Sequence, residues 1–271
     1  DEQNPEIKTV DIDLGQIEKG GFSHFMLKEI FEQPECLMTC MRGRINTEAD
    51  HVTLSAVIDY KKQLLNAKRV IFVACGTSWH AGLIGKQIIE NLCRIPVEVE
   101  YASEFRYRSP VIVGNTLYVC ISQSGETADT LAALRDTQKR AVAKNLNIST
   151  MTICNVATSS MVRETDHHLL TLAGPEIGVA STKAFTTQLT ALMLLVLKIG
   201  QVKNSISVEN RTEIATALWH TPKVILDTLQ QDKAILRLSE LFKEKQHCLF
   251  LGRGTEFPIA LEGALKLKEI S

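Results

Sequence analysis

The segment Ser122–Thr127, Ser-Gln-Ser-Gly-Glu-Thr, has the residue types of an anion-binding loop. It lies between an apolar, strand-like run at 116–121 and a helical pattern at 127–144. The first N–H groups of a helix lack partners within the helix, and the helix dipole favours negative charge there. The loop has no Lys and no GxxxxGK[ST] pattern, which argues against a nucleotide site. We therefore predict a site for a phosphorylated small molecule, although the same residue types also cap helices that bind nothing.

Two further loops share this strand-to-helix design. Gly76-Thr77-Ser78 follows the apolar run 70–75; Gly76 permits a tight turn, and Thr77 or Ser78 can cap the next helix while offering a hydroxyl. The segment 178–183 places Ser181 and a second hydroxyl before a long apolar helix. Lys183 either faces the ligand or is a solvated residue of the first turn. Three loops of one kind favour a ligand site over simple helix capping.

Alternating strand and helix patterns with short turns predict a parallel sheet covered on both faces. The fold class is therefore α/β, a three-layer αβα sandwich with a five-stranded parallel sheet. In such sheets ligands bind at the carboxyl ends of the strands, near the point where the strand order reverses. The predicted strands are 70–75, 97–101, 116–121, 151–155 and 168–172. The predicted helices between and after them are 78–93, 103–107, 127–144, 158–163 and 182–200.

The flanking segments complete the predicted organisation. Residues 23–44 predict helix with an interruption at Pro34, 53–67 predict another helix, and 213–229 and 232–245 predict two more with a break at Pro222. The apolar run His247–Leu251, followed by Gly-Arg-Gly-Thr, resembles 70–77 and predicts a strand that begins an internal repeat. About twenty-five residues cannot bury the apolar face of a full repeat, so we expect the chain to be part of a longer protein. The expected units are a linker remnant at 1–21, helices at 22–68, a first domain at 69–205, connecting helices at 206–246 and an incomplete second domain at 247–271.

Composition excludes several function classes. The 271 residues carry a net charge of −1 and no long basic block, which argues against nucleic-acid binding. No run of 18 uncharged apolar residues predicts a membrane span, and no secretory signal is visible. Cys75, Cys120, Cys154 and Cys248 lie in strand-like runs, where buried reduced thiols are common, so we expect a cytoplasmic protein. Neither Cys36 and Cys40 nor the adjacent histidines at 167–168 form a convincing metal-ligand pattern.

The last helical pattern, 258–271, places Glu262, Lys266 and Glu269 on one face through spacings of four and three residues. Two solvent-facing salt bridges, each contributing a few tenths of a kcal/mol, would produce the same pattern. A carboxylate beside a lysine at a sugar site would instead transfer a proton between adjacent carbons of a carbonyl substrate. That is the chemistry of an aldose–ketose isomerase.

Long motifs give the sequence a family resemblance. They are Phe25–Pro34, Ala74–Ser78, Ser122–Thr130, Ala173–Ala184 and Leu261–Ser271. Together they resemble the isomerase half of the glutamine:fructose-6-phosphate amidotransferase family, the glucosamine-6-phosphate synthases, over about residues 20–271. The resemblance implies two sugar isomerase (SIS) folds in tandem, the second incomplete here. It implies a reaction that makes glucosamine 6-phosphate from fructose 6-phosphate and glutamine-derived ammonia, with no metal or organic cofactor.

The resemblance also implies residue roles. The phosphate site would comprise Ser78, Ser122, Gln123, Ser124 and Thr127. Gly76 and Thr77 would line the sugar, and Val179 and Ser181 would contact its body. Glu269 matches the residue that moves the proton between C1 and C2, and Lys266 matches its lysine neighbour.

The sequence also departs from the family pattern. The N-terminal glutaminase domain, the ring-opening histidine and the imine-forming C-terminal lysine are absent from these 271 residues. We therefore expect the chain to bind the hexose phosphate without completing the synthase reaction. The family pairs as a homodimer through this half, and the histidine would come from the partner subunit. Two other functions stay open: a phosphosugar isomerase or deglycase of the SIS type, and a non-catalytic sugar-phosphate sensor.

Overall fold

The computed structural model describes residues 18–46, 51–52 and 61–271, with the backbone alone at 51–52. The elements that precede the sheet are a helix α1 (Phe25–Met41), a short antiparallel pair β1 (Ile45–Asn46) and β2 (His51–Val52), and a helix α2 (Lys61–Asn66). The predicted interruption at Pro34 is wrong, since α1 runs through it. A proline at 34 cannot donate to the carbonyl of Ile30, but the Gln33 side-chain amide donates to that carbonyl at 2.8 Å. The remainder of the helix predicted at 53–67 lies outside the described residues.

The sheet has five parallel strands, as predicted. They are β3 (Arg69–Ala74), β4 (Val97–Tyr101), β5 (Thr116–Ser122), β6 (Ile148–Cys154) and β7 (His167–Leu170), in the spatial order β4-β3-β5-β6-β7. The helices that alternate with them are α3 (Gly76–Cys93), α4 (Ala102–Tyr107), α5 (Ala128–Ala143), α6 (Ser160–Glu164) and α7 (Lys183–Lys203). The strand order reverses between β3 and β5, which are direct neighbours, so the carboxyl ends of these two strands flank the switch point of the sheet.

Alternate residues of each central strand feed two separate cores, which makes the fold a three-layer sandwich. Phe72 and Val119 belong to one core with α3 and α7, whereas Val73 and Cys120 belong to the other with α4 and α5. The central strands β3 and β5 are near-continuous apolar runs because both of their faces are buried. Within the described residues, α7 is the one helix long and apolar enough to cross a membrane. However, 72% of its apolar window is buried inside the protein, so it is a core helix.

Three more helices follow α7: α8 (Val208–Leu229), α9 (Asp232–Ser239) and α10 (Glu256–Ile270). The predicted break at Pro222 is wrong, because α8 continues through this buried residue. The hydroxyl of Ser207 accepts from the Asn210 N–H and starts α8 five residues earlier than predicted. Pro222 has no N–H to donate, so the helix lacks one backbone hydrogen bond. The remaining backbone hydrogen bonds of this 22-residue helix are enough to continue it through Pro222.

The predicted strand at 247–251 is also wrong. These residues form neither helix nor strand, and Leu249 and Leu251 are 85% and 86% exposed. An isolated apolar run has no neighbour to complete a hydrogen-bond ladder, so its strand propensity is not realised. Cys248, predicted to be buried, is exposed for the same reason, and Cys75 is half-buried. The domain boundaries, and an incomplete repeat at 247–271, stay predictions.

Candidate functional site

The β5–α5 loop is organised around the hydroxyl of Ser122, the last residue of β5. This hydroxyl is hydrogen-bonded to that of Thr127 at 2.9 Å and accepts from the Gly125 N–H at 3.0 Å. Thr127 is the N-cap of α5, but its side chain makes no capping bond. The structure therefore gathers two of the predicted phosphate-binding hydroxyls at the positive end of a helix.

Glycine is required at position 125 of this loop. Gly125 has φ +65°, and a Cβ built there would lie 2.2 Å from the Ser159 hydroxyl. Ser124 accepts from the Glu126 N–H at 3.1 Å, and the Glu126 carboxylate accepts from the Ser160 N–H at 2.5 Å. That last bond is the main reason that the pKa of Glu126 is lowered. The loop is thus fixed before any ligand arrives.

Asn155, which the sequence reasoning missed, connects this loop to the third predicted loop. Its N–H donates to the carbonyl of Gln123 at 3.0 Å, and its side-chain amide donates to the Gly174 carbonyl at 2.6 Å. Its side-chain oxygen accepts from the Ala173 N–H at 2.7 Å. The available signal was its position directly after β6, at the same edge of the sheet as Ser122.

The β3–α3 turn lies beside the Ser122 loop, on the other side of the switch point. Gly76 has φ +53° and opens α3. The expectation that Thr77 or Ser78 caps this helix is wrong, because the N-cap is Cys75 and makes no side-chain bond. Instead the Thr77 hydroxyl contacts α10, and the Ser78 hydroxyl accepts from the Gln188 amide of α7 at 3.0 Å.

The contact between Thr77 and α10 places a buried carboxylate at the start of α3. Thr77 donates to Glu262 Oε1 at 2.8 Å, and His80 Nδ1 lies 2.6 Å from Glu262 Oε2. Glu262 is 6% exposed and His80 5%. Burial acts to raise the pKa of Glu262, but the bonds from His80 and Thr77, with the bond and charge of Lys266, outweigh it and hold this pKa below its ordinary value.

Lys266 joins this carboxylate to the predicted proton-transfer residue. Its ammonium lies 3.2 Å from Glu262 Oε1 and 2.7 Å from Glu269 Oε2, and it donates to the Thr77 hydroxyl at 2.9 Å. The alternative of two solvent-facing salt bridges is wrong for the Glu262–Lys266 pair, whose side chains are 8% and 17% exposed. The sequence reasoning placed Glu262 on this face without a role and missed His80. The available signal was the spacing of three between Thr77 and His80, which puts both on one side of α3.

The third loop of the structure extends over 173–183, so it begins five residues before the predicted 178–183, and its predicted residues meet different outcomes. Val179 is 89% exposed, so its side chain projects from the surface. Ser181 donates to Glu176 Oε2 at 3.0 Å, and burial is the main cause of the raised pKa of Glu176. The interpretation of Lys183 as a solvated residue is wrong, since it is 4% exposed and its ammonium lies 2.7 Å from Glu32 Oε2 on α1.

Two cavities lie away from the 122–127 loop and the β3–α3 turn, and one of them adjoins the third loop. A cavity of about 210 Å³ lined by Lys62, Asn115 and Asn147 lies at the amino edge of the sheet, the opposite edge from Ser122. Another, of about 420 Å³, lies between α1 and residues 172–175. An open anion-binding loop at a helix N-terminus need not enclose a cavity. In the part of the chain that the structure describes, no three His, Cys, Asp or Glu side chains form a group able to hold a metal ion.

The fold matches a recognised family of α/β domains. The SIS domain family model matches residues 63–198, which span α2 to most of α7. The chain therefore belongs to the SIS domain family. Its parallel sheet, with hydroxyl-bearing loops at the switch point, is the arrangement that the sequence predicted.

Within that family the chain is similar to glutamine–fructose-6-phosphate aminotransferases over nearly its whole length. It is 66% identical over 98% of its residues to the glutamine–fructose-6-phosphate aminotransferase (isomerizing) of Acinetobacter baylyi, and 56% identical over 100% to that of Bacteroides thetaiotaomicron. It spans 43% of the length of each. Its structure matches the C-terminal domain of the glucosamine-fructose-6-phosphate aminotransferase of Francisella tularensis with a TM-score of 0.87 and 45% identity, covering 94% of this chain and 69% of that one. The chain thus corresponds to the isomerase half of these two-part enzymes, as the motifs predicted.

Proposed function

We propose that this chain binds a hexose 6-phosphate and supplies the sugar-isomerising chemistry of an amidotransferase that makes glucosamine 6-phosphate. The observation that carries the proposal is the hydroxyl cluster at the switch point, where Thr77 contacts the buried Glu262 and the half-buried Lys266, which in turn pairs with the exposed Glu269. The fructose 6-phosphate in the relatives' names fits this chemistry, because the substrate offers a phosphate dianion and a carbonyl. The sensor alternative gives no reason for burying Glu262 against Thr77 and His80.

The phosphate would bind at the positive end of α5. Its oxygens would accept from the hydroxyls of Ser78, Ser122, Ser124 and Thr127 and from the Gln123 amide. The hydroxyls of Ser122 and Thr127 now bond each other at 2.9 Å, and rotation of both would redirect their hydrogens to a phosphate. Gly76 and Thr77 would line the sugar chain, with Val179 and Ser181 on its other side.

The proton transfer is assigned to Glu269. Its carboxylate would take a proton from C1 of the C2-iminated ketose while the imine nitrogen gains a proton, which leaves a C1–C2 double bond with an amine on C2. It would then return its proton to C2 while the C1 hydroxyl loses its own, so that C1 becomes the carbonyl carbon. Lys266 fixes the position of Glu269 through its 2.7 Å ion pair, and Glu262 in turn fixes Lys266. Ammonia would come from glutamine through an N-terminal glutaminase domain. We also propose a homodimer, whose second subunit brings a ring-opening histidine, and a cytoplasmic location, supported by the seven unpaired cysteines.

A binding experiment tests the phosphate assignment. The double variant Ser122→Ala/Thr127→Ala should weaken glucosamine 6-phosphate binding, measured by calorimetry, by at least about tenfold, because each lost hydrogen bond to a charged group contributes about 1.5–3 kcal/mol. Ser149→Ala, at the amino edge of β6 and away from the loop, is the control and should bind like the unchanged chain. If the double variant binds glucosamine 6-phosphate as tightly as the unchanged chain does, the phosphate assignment is rejected.

A further inference from the structure

The third loop of the candidate site is held in place by a buried carboxylate on α1. Glu29 is 2% exposed, although it belongs to a helix outside the sheet. Its Oε1 accepts from the Ile177 N–H at 2.5 Å and from the Gly178 N–H at 3.0 Å, and its Oε2 lies 3.2 Å from the same Gly178 nitrogen. Burying a carboxylate is costly unless it is well hydrogen-bonded, so these backbone bonds compensate Glu29.

The approach of the loop to α1 is close enough to dictate a glycine. A Cβ at position 178 would lie 2.5 Å from Glu29 Oε2 and 3.3 Å from the Met26 Cα. Two more contacts of α1 hold the ends of the loop. Cys36 donates to the Ala173 carbonyl at 3.3 Å, and Glu32 pairs with Lys183 at 2.7 Å.

The free part of the loop is consequently short. Glu29 holds residues 177–178, and Glu176 accepts from the N–H groups of Thr182 and Ala184 at 2.9 and 3.1 Å. Val179 and Ser181, the two residues assigned to the sugar body, lie between these attachment points. Because both carboxylates bond the loop's own polar groups, the conformation of residues 179–181 depends on them.

We propose that Glu29 is a positioning residue, which holds the 177–178 backbone so that residues 179–181 can contact the sugar body of the bound hexose phosphate. The proposal rests on the proposed function. It implies that α1 determines recognition of the sugar, while the 122–127 loop, which has its own internal bonds, determines recognition of the phosphate. Glu29 does not touch the substrate; it acts through the loop.

The test compares two ligands, glucosamine 6-phosphate and inorganic phosphate, across the unchanged chain and four variants. Glu29→Ala removes the acceptor. Gly178→Ala keeps the carboxylate but displaces the loop, and Glu29→Gln keeps one acceptor oxygen. Glu35→Ala changes an exposed glutamate of the same helix and is the matched control. Calorimetry measures both affinities, and hydrogen exchange measures protection of the amides of Ile177 and Gly178.

Glu29→Ala and Gly178→Ala should each weaken glucosamine 6-phosphate binding at least tenfold, change inorganic phosphate binding less than twofold, and lower protection at the two amides. Glu29→Gln should recover most of the affinity, and Glu35→Ala should match the unchanged chain. Equal weakening for both ligands, or unchanged amide protection, would overturn the positioning role. If the unchanged chain binds neither ligand, the proposed function fails, and amide protection in Glu29→Ala and Gly178→Ala alone decides whether Glu29 holds the loop.

Discussion

Removing the Glu262 carboxylate should uncouple α10 from α3 at a measurable cost in stability. This carboxylate accepts from Thr77, lies 2.6 Å from His80 and pairs with Lys266, and it is almost fully buried. Removing one partner of a buried ionic cluster leaves the others uncompensated and costs about 3–5 kcal/mol. Glu262→Ala should therefore lower the free energy of unfolding in urea by about that amount.

The variant Glu262→Gln separates charge from shape. It keeps an acceptor for Thr77 but loses the ionic bonds, so its cost should be about 1–2 kcal/mol at neutral pH. Because the pKa of Glu262 in the folded chain lies below its ordinary value, its ionised form adds stability above the ordinary carboxyl pKa, and this gain disappears as the pH falls through the folded pKa. The difference between Glu262→Gln and the unchanged chain should thus shrink below about pH 4.

The matched control is Glu256→Gln, an exposed glutamate at the start of the same helix. It should change the free energy of unfolding by only a few tenths of a kcal/mol, since exposed charges at a helix terminus contribute little. The reasoning is refuted if Glu262→Ala costs no more than Glu256→Gln. A Glu262→Gln cost that does not change between pH 7 and pH 3 would refute the electrostatic part alone.

Two further outcomes are expected from single substitutions. Gly125→Ala should lower the free energy of unfolding by about 1–3 kcal/mol and weaken hexose phosphate binding, because the new Cβ would lie 2.2 Å from the Ser159 hydroxyl and φ is +65°. The control is Gly114→Ala, whose Cβ would be at least 3.7 Å from its neighbours. Equal effects of the two substitutions would contradict the loop geometry. A thiol reagent should modify the exposed Cys248 fastest in the native chain and Cys120 only on unfolding, since burial raises the pKa of Cys120 to about 12. Mass spectrometry of partially labelled protein gives the order in which the cysteines react. Early labelling of Cys120 would contradict its burial beneath α4 and α5.

Much of the fold was predictable from local pattern. The three central strands β3, β5 and β6 are runs rich in β-branched residues, and burial on both faces makes such runs distinctive. The β5–α5 loop was predictable because Gly125 and the hydroxyls around it are adjacent in sequence. The exceptions at Pro34 and Pro222 arise because one missing donor does not end a long helix, and at Pro34 the Gln33 amide takes over the freed carbonyl.

The amino-acid sequence by itself determined the class of fold, the hydroxyl loops and the Glu262–Lys266–Glu269 face, because each depends on residues a few positions apart. Tertiary structure alone decided which of those charges are buried and what they hold. Glu262 meets Thr77 and His80 across more than 180 residues, and Glu29 meets Gly178 across 149, so no local pattern reveals either contact. The apolar run at 248–251 has the local pattern of a strand but does not form one. A strand forms only where a neighbouring strand can complete its hydrogen bonds.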